Sequence, residues 1–201
     1  MAKVKLTKNE LKSQRDDLKR FQRYLPTLQL KKQQLQMEVR GLRSTLAELD
    51  SRIEAFRQRL DSWLKLLSDP QAKQLNELLV IENWKTAVRN VAGIDTPAFE
   101  SLEFKQEAYN LFDTPLWFDD ALDAVKKTVD FRLRRQLLQE QLTLIERELR
   151  TVTQRVNLFE KVKIPEAHDN IKRIQIYLGD QQTNAVGRAK IAKEKARRKE
   201  L

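Results

Sequence analysis

The stretch LRSTLAELDSRIEAFRQRLDSWLKLL, Leu42 to Leu67, decides the fold. Its apolar residues Leu42, Leu46, Leu49, Ile53, Phe56, Leu60, Trp63 and Leu67 are separated by gaps of four and three in strict alternation. A mean spacing of 3.5 residues gathers them on one side of a helix, and such a stripe is stable only when a second helix covers it. The same repeat continues outward to the N-terminus. With Val4, Leu11, Leu18, Leu25, Lys32, Val39, Leu46, Ile53, Leu60 and Leu67 as a sites, the d sites are Thr7, Gln14, Phe21, Leu28, Leu35, Leu42, Leu49, Phe56 and Trp63. Sixteen of these nineteen positions are apolar, in a chain that is only 40% hydrophobic. A helix from Val4 to Leu67 would be about 95 Å long, at about 1.5 Å per residue. A function that needs reach is expected.

Composition agrees with a rod. Four Gly and five Pro in 201 residues are too few for a loop-rich globule, and 34% charged residues suit helices with wide wet faces. The lack of Cys excludes disulfide frameworks and thiolate metal sites, as expected for a reducing compartment. Met1 to Glu10 has no apolar signal region, and the apolar run Leu78 to Ile81 is far too short to span a bilayer. A cytoplasmic protein without direct membrane insertion is expected. The net charge of +10 is concentrated near the C-terminus, where Arg188, Lys190, Lys193, Lys195, Arg197, Arg198 and Lys199 face a single acid, Glu194. Such a run is either a binding arm or a solvated helix end whose cations complement the helix dipole. No aromatic residue interleaves it, which disfavours single-stranded nucleic acid.

Three segments follow from the pattern. Residues 1–67 form an N-terminal coiled-coil helix, 68–114 a middle head, and 115–201 a second coiled-coil helix with a basic tail. Ser68-Asp69-Pro70 should end the first helix. Leu78 to Val91 fits neither the helical nor the strand period cleanly, whereas Gly93, Pro97 and the run Phe99, Leu102, Phe104 suggest a short β-hairpin or an irregular head. Asp113-Thr114-Pro115 reads as a helix start with Thr114 as N-cap, followed by Asp119, Asp120 and Asp123 in favourable dipole positions. The second stripe contains Leu142, Ile145, Leu149, Val152, Val156 and Phe159. It resumes after a one-residue shift near Pro165 as Ile164, Ala167, Ile171, Ile174 and Leu178. The expected class is all-α: a long antiparallel two-helix coiled coil with a small middle head that includes the hairpin. Leu42, Leu46, Leu49 and Ile53 should meet Leu142, Ile145, Leu149 and Val152 in the seam. Pro26 and Pro165 should lie near one height, with a bend or a loosened ladder there.

Nothing in the sequence resembles a catalytic constellation. His168 is the single histidine, so a His-based metal site or nucleophile–base pair has nothing to build on. Gly41, Gly93, Gly179 and Gly187 form neither a phosphate loop nor a dinucleotide fingerprint. No cofactor is expected. Trp63, Trp84 and Trp117 flank the head and either pack it on the rod or offer a partner a hydrophobic groove.

The segment Thr153 to Ile174 carries a resemblance. It is similar to the signature of the D subunit of the V-type and A-type rotary ATPases, which centres on Arg-Arg-Val-Asn-Ala-Leu-Glu followed by Ile-Pro and Thr-Ile. The matching residues are Arg155, Val156, Asn157, Glu160, Ile164, Pro165 and Ile171. Asn90-Val91-Ala92-Gly93 ahead of Pro97, and Asp113-Thr114-Pro115, also agree with that family. The chain departs from the pattern at Gln154, at Leu158-Phe159 where the family has Ala-Leu, and at Tyr24 to Lys31, which replaces a stretch with Gly-His.

The resemblance implies a non-catalytic central rotor shaft. Its paired termini would sit in the hexamer of catalytic A and non-catalytic B subunits. Its lower part would bind the F subunit and dock on the membrane-side C subunit of the rotor. Arg188, Lys190, Lys193, Arg197 and Arg198 then become candidate hexamer contacts, and the protein would be peripheral to the membrane as part of the complex. The coupling ion, H⁺ or Na⁺, is set elsewhere. The rival readings are a stand-alone coiled-coil adaptor and a basic nucleic-acid-binding rod.

Overall fold

A computed structural model describes residues 4–61, 79–106, 114–115 and 117–198. The elements in chain order are α1 (Lys8–Asp61), β1 (Leu79–Val91), β2 (Ile94–Gln106), α2 (Phe118–Leu158), a π-helical turn (Phe159–Lys163) and α3 (Ile164–Arg197). The expected stop of the first helix at Ser68 to Pro70 lies outside the described residues.

The heptad is directly visible in the burial of α1. Every a and d site from Leu11 to Leu60 is buried or half-buried, while most remaining positions are exposed. Lys32, an a site, is half-buried, as a long aliphatic stem with a wet head allows. Pro26 lies inside α1 on an exposed position. The carbonyl it leaves without a helical donor, that of Gln22, belongs to an exposed residue and can bond water instead. The helix therefore continues through it.

The chain divides into two compact units. One comprises Gln33–Arg150. Within it, Arg43 donates to Glu146 at 2.6 Å, Arg135 to Asp50 at 2.7 Å, and the rings of Phe56 and Phe131 meet edge to face at 5.7 Å. Partner numbers fall along α2 as they rise along α1, so the helices are antiparallel. The hydrogen bond and charge of Asp50 raise the Arg135 pKa above its ordinary value. Both ion pairs are well exposed and mark register more than they stabilise.

The other unit comprises Met1–Lys32 with Thr151–Leu201. Here Phe21 stacks on Phe159 at 5.3 Å, and the Asn170 amide donates to the Gln14 side-chain oxygen at 3.4 Å. The pairing is again antiparallel. It also corrects one expectation. Pro165 lies between Phe159 and Asn170, hence level with about residue 17, and Pro26 sits roughly two and a half turns away along α1. Equal rise projected from Leu67 misjudges this register, and the offset is already present at Phe159, where the π turn begins, because small displacements between two helices accumulate along a seam without any local pattern to report them.

A second correction concerns α2. It begins at Phe118, whose N–H donates to Pro115 O at 3.0 Å, so Thr114 precedes the helix by a full turn and is not its N-cap. Asp119 and Asp120 do occupy the first turn, where the dipole favours acids.

The head contains a hairpin, and it is longer than expected. Both strands have thirteen residues, and the ambiguous residues Leu79 to Val91 are all strand. The two-residue turn Ala92-Gly93 has φ of 51° and 83°. Positive φ at both central residues is the type I′ geometry that matches strand twist. Asn90 organises the turn, accepting from Gly93 N at 3.1 Å and donating to Asp95 at 2.6 Å. Register shifts at Glu82 in β1 and Glu100 in β2 place one extra residue in each strand. They explain the spacing of the apolar residues. Through the shared pairs Thr86↔Phe99, Trp84↔Leu102 and Ile81↔Phe104, the bulges bring Phe99, Leu102, Phe104, Trp84 and Ile81 onto one face. Phe99 of that face meets α2, where Arg134 stacks 3.8 Å from its ring centre and the Gln141 amide donates to the neighbouring Pro97 O, while Ile81 at the far end of the face is 48% exposed.

Two outcomes follow. Cysteines at Leu46 and Leu142, joined by a short bismaleimide, should crosslink within one chain, because the Arg43–Glu146 and Arg135–Asp50 pairs bracket them; mass analysis showing only crosslinked dimers would refute the hairpin pairing. Ala92→Asn should stabilise the β-hairpin by about 0.5–1 kcal/mol, since a Cβ residue at positive φ is strained and Asn tolerates it best in this turn. Slower amide exchange in the ladder would register the gain.

Candidate functional site

The signature segment is built around the π turn. The Ile164 N–H donates to Phe159 O, five residues back instead of four. One extra residue per turn is the one-residue slip that separates the stripe Val152, Val156 from Ala167, Ile174. These four residues are at most 3% exposed on either side of the turn. The cause lies next door. Pro165 has no N–H, and its ring would crowd the carbonyl of Lys161 in a regular α-helix. A wide turn immediately before it accommodates the ring and returns the apolar stripe to the seam. Of the family-motif residues, Val156 is buried, Ile164 and Ile171 are half-buried, and Arg155, Asn157, Glu160 and Pro165 are exposed. The motif thus mixes seam packing with a solvent-facing surface. The departure Leu158-Phe159 has a physical partner, because Phe159 stacks on Phe21 while Leu158 stays 45% exposed.

A polar layer lies one step along. Gln14, a d site, accepts from Asn170 and donates to Glu10 at 2.9 Å. A polar pair at a seam position fixes register, because a slip would bury those amides unpaired.

In the unit of Gln33–Arg150, Ile145 is 1% exposed and Leu42, Leu46, Leu49, Ile53, Leu142 and Leu149 are half-buried; in the other unit Val152 is buried. Leu49 lines a cavity of about 300 Å³ with Phe99, Arg134, Leu137 and Gln141, under the β-hairpin. Sequence reasoning does not single out Leu35 or Ile174, which are fully buried although the stripes contain both. Phe118, Ala121 and Leu122, also buried, precede the part of the second stripe that the sequence pattern traces. Trp84 and Trp117 are half-buried, and Trp117 lines a cleft with Phe56 and Leu60; Trp63 lies outside the described residues.

The basic tail has no covering partner among the described residues. Leu178 is the last half-buried residue there, and Gly179 to Arg198 are exposed throughout. Arg188, Lys190, Lys193, Arg197 and Arg198 therefore project from α3 together with Val186 and Ile191, each 57% exposed. Arg198 pairs with Glu194 at 3.0 Å along the helix. His168 is exposed. Among the described residues, no group of three His, Cys, Asp or Glu side chains is placed to hold a metal, and no helix is long and apolar enough to cross a membrane.

Antiparallel two-helix seams, a β-hairpin packed on one of the helices and an uncovered basic helix end define a coiled-coil assembly component, with its conspicuous features on outer surfaces. Comparison with known proteins makes the class specific. Residues 10–194 match the family model described as the D subunit of ATP synthase. The V-type ATP synthase D subunit of Borreliella burgdorferi is 44% identical over 199 residues, covering 96% of this chain and 95% of that protein. The protein of the same name from Chlamydia trachomatis serovar L2 is 36% identical over 195 residues, covering 96% of each chain. That of Chlamydia pneumoniae is 36% identical over 193 residues, covering 96% and 92%. The chain belongs to the ATP synthase D-subunit family.

The buried seam gives a direct test. Ile145→Ala should destabilise the chain by about 2–5 kcal/mol, from lost transfer energy and a residual cavity. Leu49→Ala should cost less, since Leu49 is half-buried beside an existing cavity. Denaturant melts of the two variants would rank them; equal midpoints would disprove the assigned seam.

Proposed function

We propose that this chain is the central rotor shaft of a V-type ATPase or ATP synthase. In this reading it transmits torque between ATP hydrolysis or synthesis in a catalytic hexamer of A and B subunits and H⁺ or Na⁺ translocation in the membrane sector. It carries no bond chemistry of its own. The F subunit and the membrane-side C subunit of the rotor are its other partners, and the complex holds it at the cytoplasmic face of the membrane. The observation that carries the proposal is the match over residues 10–194 to a family whose relatives are named for this complex.

The physical features support the role. Twisting a two-helix seam strains its a and d contacts together, so a rotation applied at one place is resisted along the paired length. A shaft turning inside three catalytic sites needs faces that differ around its axis, and the exposed Leu158, Val162 and Ile176 differ from the charged faces beside them. The uncovered tail brings six exposed cations to the end of α3, suited to a ring of surrounding subunits with acidic or carbonyl-lined inner surfaces.

Deleting residues from Arg188 onward should leave the melting temperature of the chain nearly unchanged, because burial along α3 ends at Leu178. In the assembled complex it should lower torque-coupled turnover more than it lowers binding of the F subunit. Paired assays of hydrolysis, ion pumping and F-subunit retention would check this. Loss of the F subunit with turnover intact would invert the proposed orientation, and failure of the full chain to purify with A and B subunits would remove the rotor reading.

A further inference from the structure

The two outer edges of the β-hairpin are treated differently. In a two-residue hairpin the residues flanking the turn, Val91 and Ile94, form a hydrogen-bonded pair. Alternation then makes Asn90↔Asp95, Val88↔Pro97 and Thr86↔Phe99 non-bonded pairs, with their N–H and C=O groups directed outward. Pro97, which has no N–H, sits at one of the positions where none is needed. The outer edge of β2 lies against α2, where Pro97 O accepts from Gln141 and Phe99 lies under Arg134.

The outer edge of β1 has no such cover among the described residues. Lys85 to Asn90 are all exposed, and Val88 is 75% exposed. Proteins usually blunt a free edge with a bulge, a proline or charged side chains, Lys above all. The bulge of β1 is at Glu82, away from the turn, and Thr86 to Val91 contains neither bulge nor proline, so the cations Lys85 and Arg89 are what guard this edge, and they guard it only against strands that lack acids. We infer that this edge, Thr86 to Asn90, is a docking site for an extended strand of a partner protein, which extends the hairpin to a three-stranded sheet. The outward backbone groups of Thr86, Val88 and Asn90 supply the ladder.

Charge specifies the partner's chemistry. Lys85, Ala87 and Arg89 share one face of β1, and no acid lies between Lys85 and Val91. An incoming antiparallel strand is favoured when it carries two acidic residues four positions apart, opposite Arg89 and Lys85, with a small residue between them opposite Ala87. A β-branched residue next to the first acid then meets Val88 on the other face. The site is independent of the rotor reading and adds a second, lateral interaction to it.

The test uses the full chain with a capped peptide, Thr-Glu-Val-Thr-Val-Glu-Thr, and a control with Lys in place of both Glu. The Glu peptide should slow exchange of the Thr86, Val88 and Asn90 amides about tenfold at saturation, leaving the inward Ala87 and Arg89 amides unchanged. The Lys peptide should have no effect. Val88→Pro removes one outward donor and should abolish the response, with Ala87 and Arg89 protection reporting that the hairpin persists. The double variant Lys85→Glu with Arg89→Glu should reverse the peptide preference, which keeps the test valid if the proline variant unfolds. Unchanged outward amides, or equal protection by both peptides, would overturn the inference. Protection that grows with chain concentration alone would overturn it too, since the occupant would then be a second copy.

Discussion

Everything in this molecule depends on keeping a very narrow core in phase. A two-helix coiled coil has no interior beyond its a and d side chains. Outside the part of α2 that the β-hairpin covers, each of those residues must find the opposite stripe. In α1 that demand is met without interruption from Leu11 to Leu60. The partner helix carries a proline and must correct for it. The extra residue of the π turn at Phe159–Lys163 moves the stripe from the Val152, Val156 phase to the Ala167, Ile174 phase and so returns it to the seam.

The β-hairpin solves the same problem by the same means. Phe99 and Leu102 are three apart and would face opposite sides of a regular strand. The extra residue at Glu100 cancels that error, and the one at Glu82 does the same for Ile81 and Trp84. In helix and strand alike, a one-residue insertion restores apolar phase where the sequence departs from strict periodicity.

This logic also separates what is legible in the sequence from what is not. The heptad is readable because its period is local and every site reports it. The one-residue slip near Pro165 is readable as a change of phase, although its structural form is not. The strand status of Leu79 to Val91 is hidden, because a bulge breaks the alternation by which a strand is recognised and the turn is Ala-Gly, lacking the Asn or Asp that usually marks type I′. The helix start at Phe118 is misplaced because Thr114-Pro115 has the composition of a cap, and composition does not report which turn closes the first helical bonds. The levels of Pro26 and Pro165 depend on register between distant segments, which no local pattern encodes. Within the motif, the residues that pack the seam and those that face solvent are interleaved, and only the structure separates Val156 from Arg155 and Asn157.

The places where covering stops are as informative as the seam. Burial along α3 ends at Leu178, yet the helix continues to Arg197 with Val186 and Ile191 exposed among its cations. An isolated helix of that length has only marginal stability. The outer edge of β1 is open in the same sense, since its backbone groups lack a neighbouring strand among the described residues. In the proposed role, a rotor shaft must be stiff along its seam and adaptable where it meets subunits that change shape as it turns. A seam held by many small contacts would supply the stiffness, and the surfaces left uncovered among the described residues would supply the adaptability. The chain places the packed seam and the uncovered surfaces in separate segments, so a substitution on an uncovered surface need not loosen the seam.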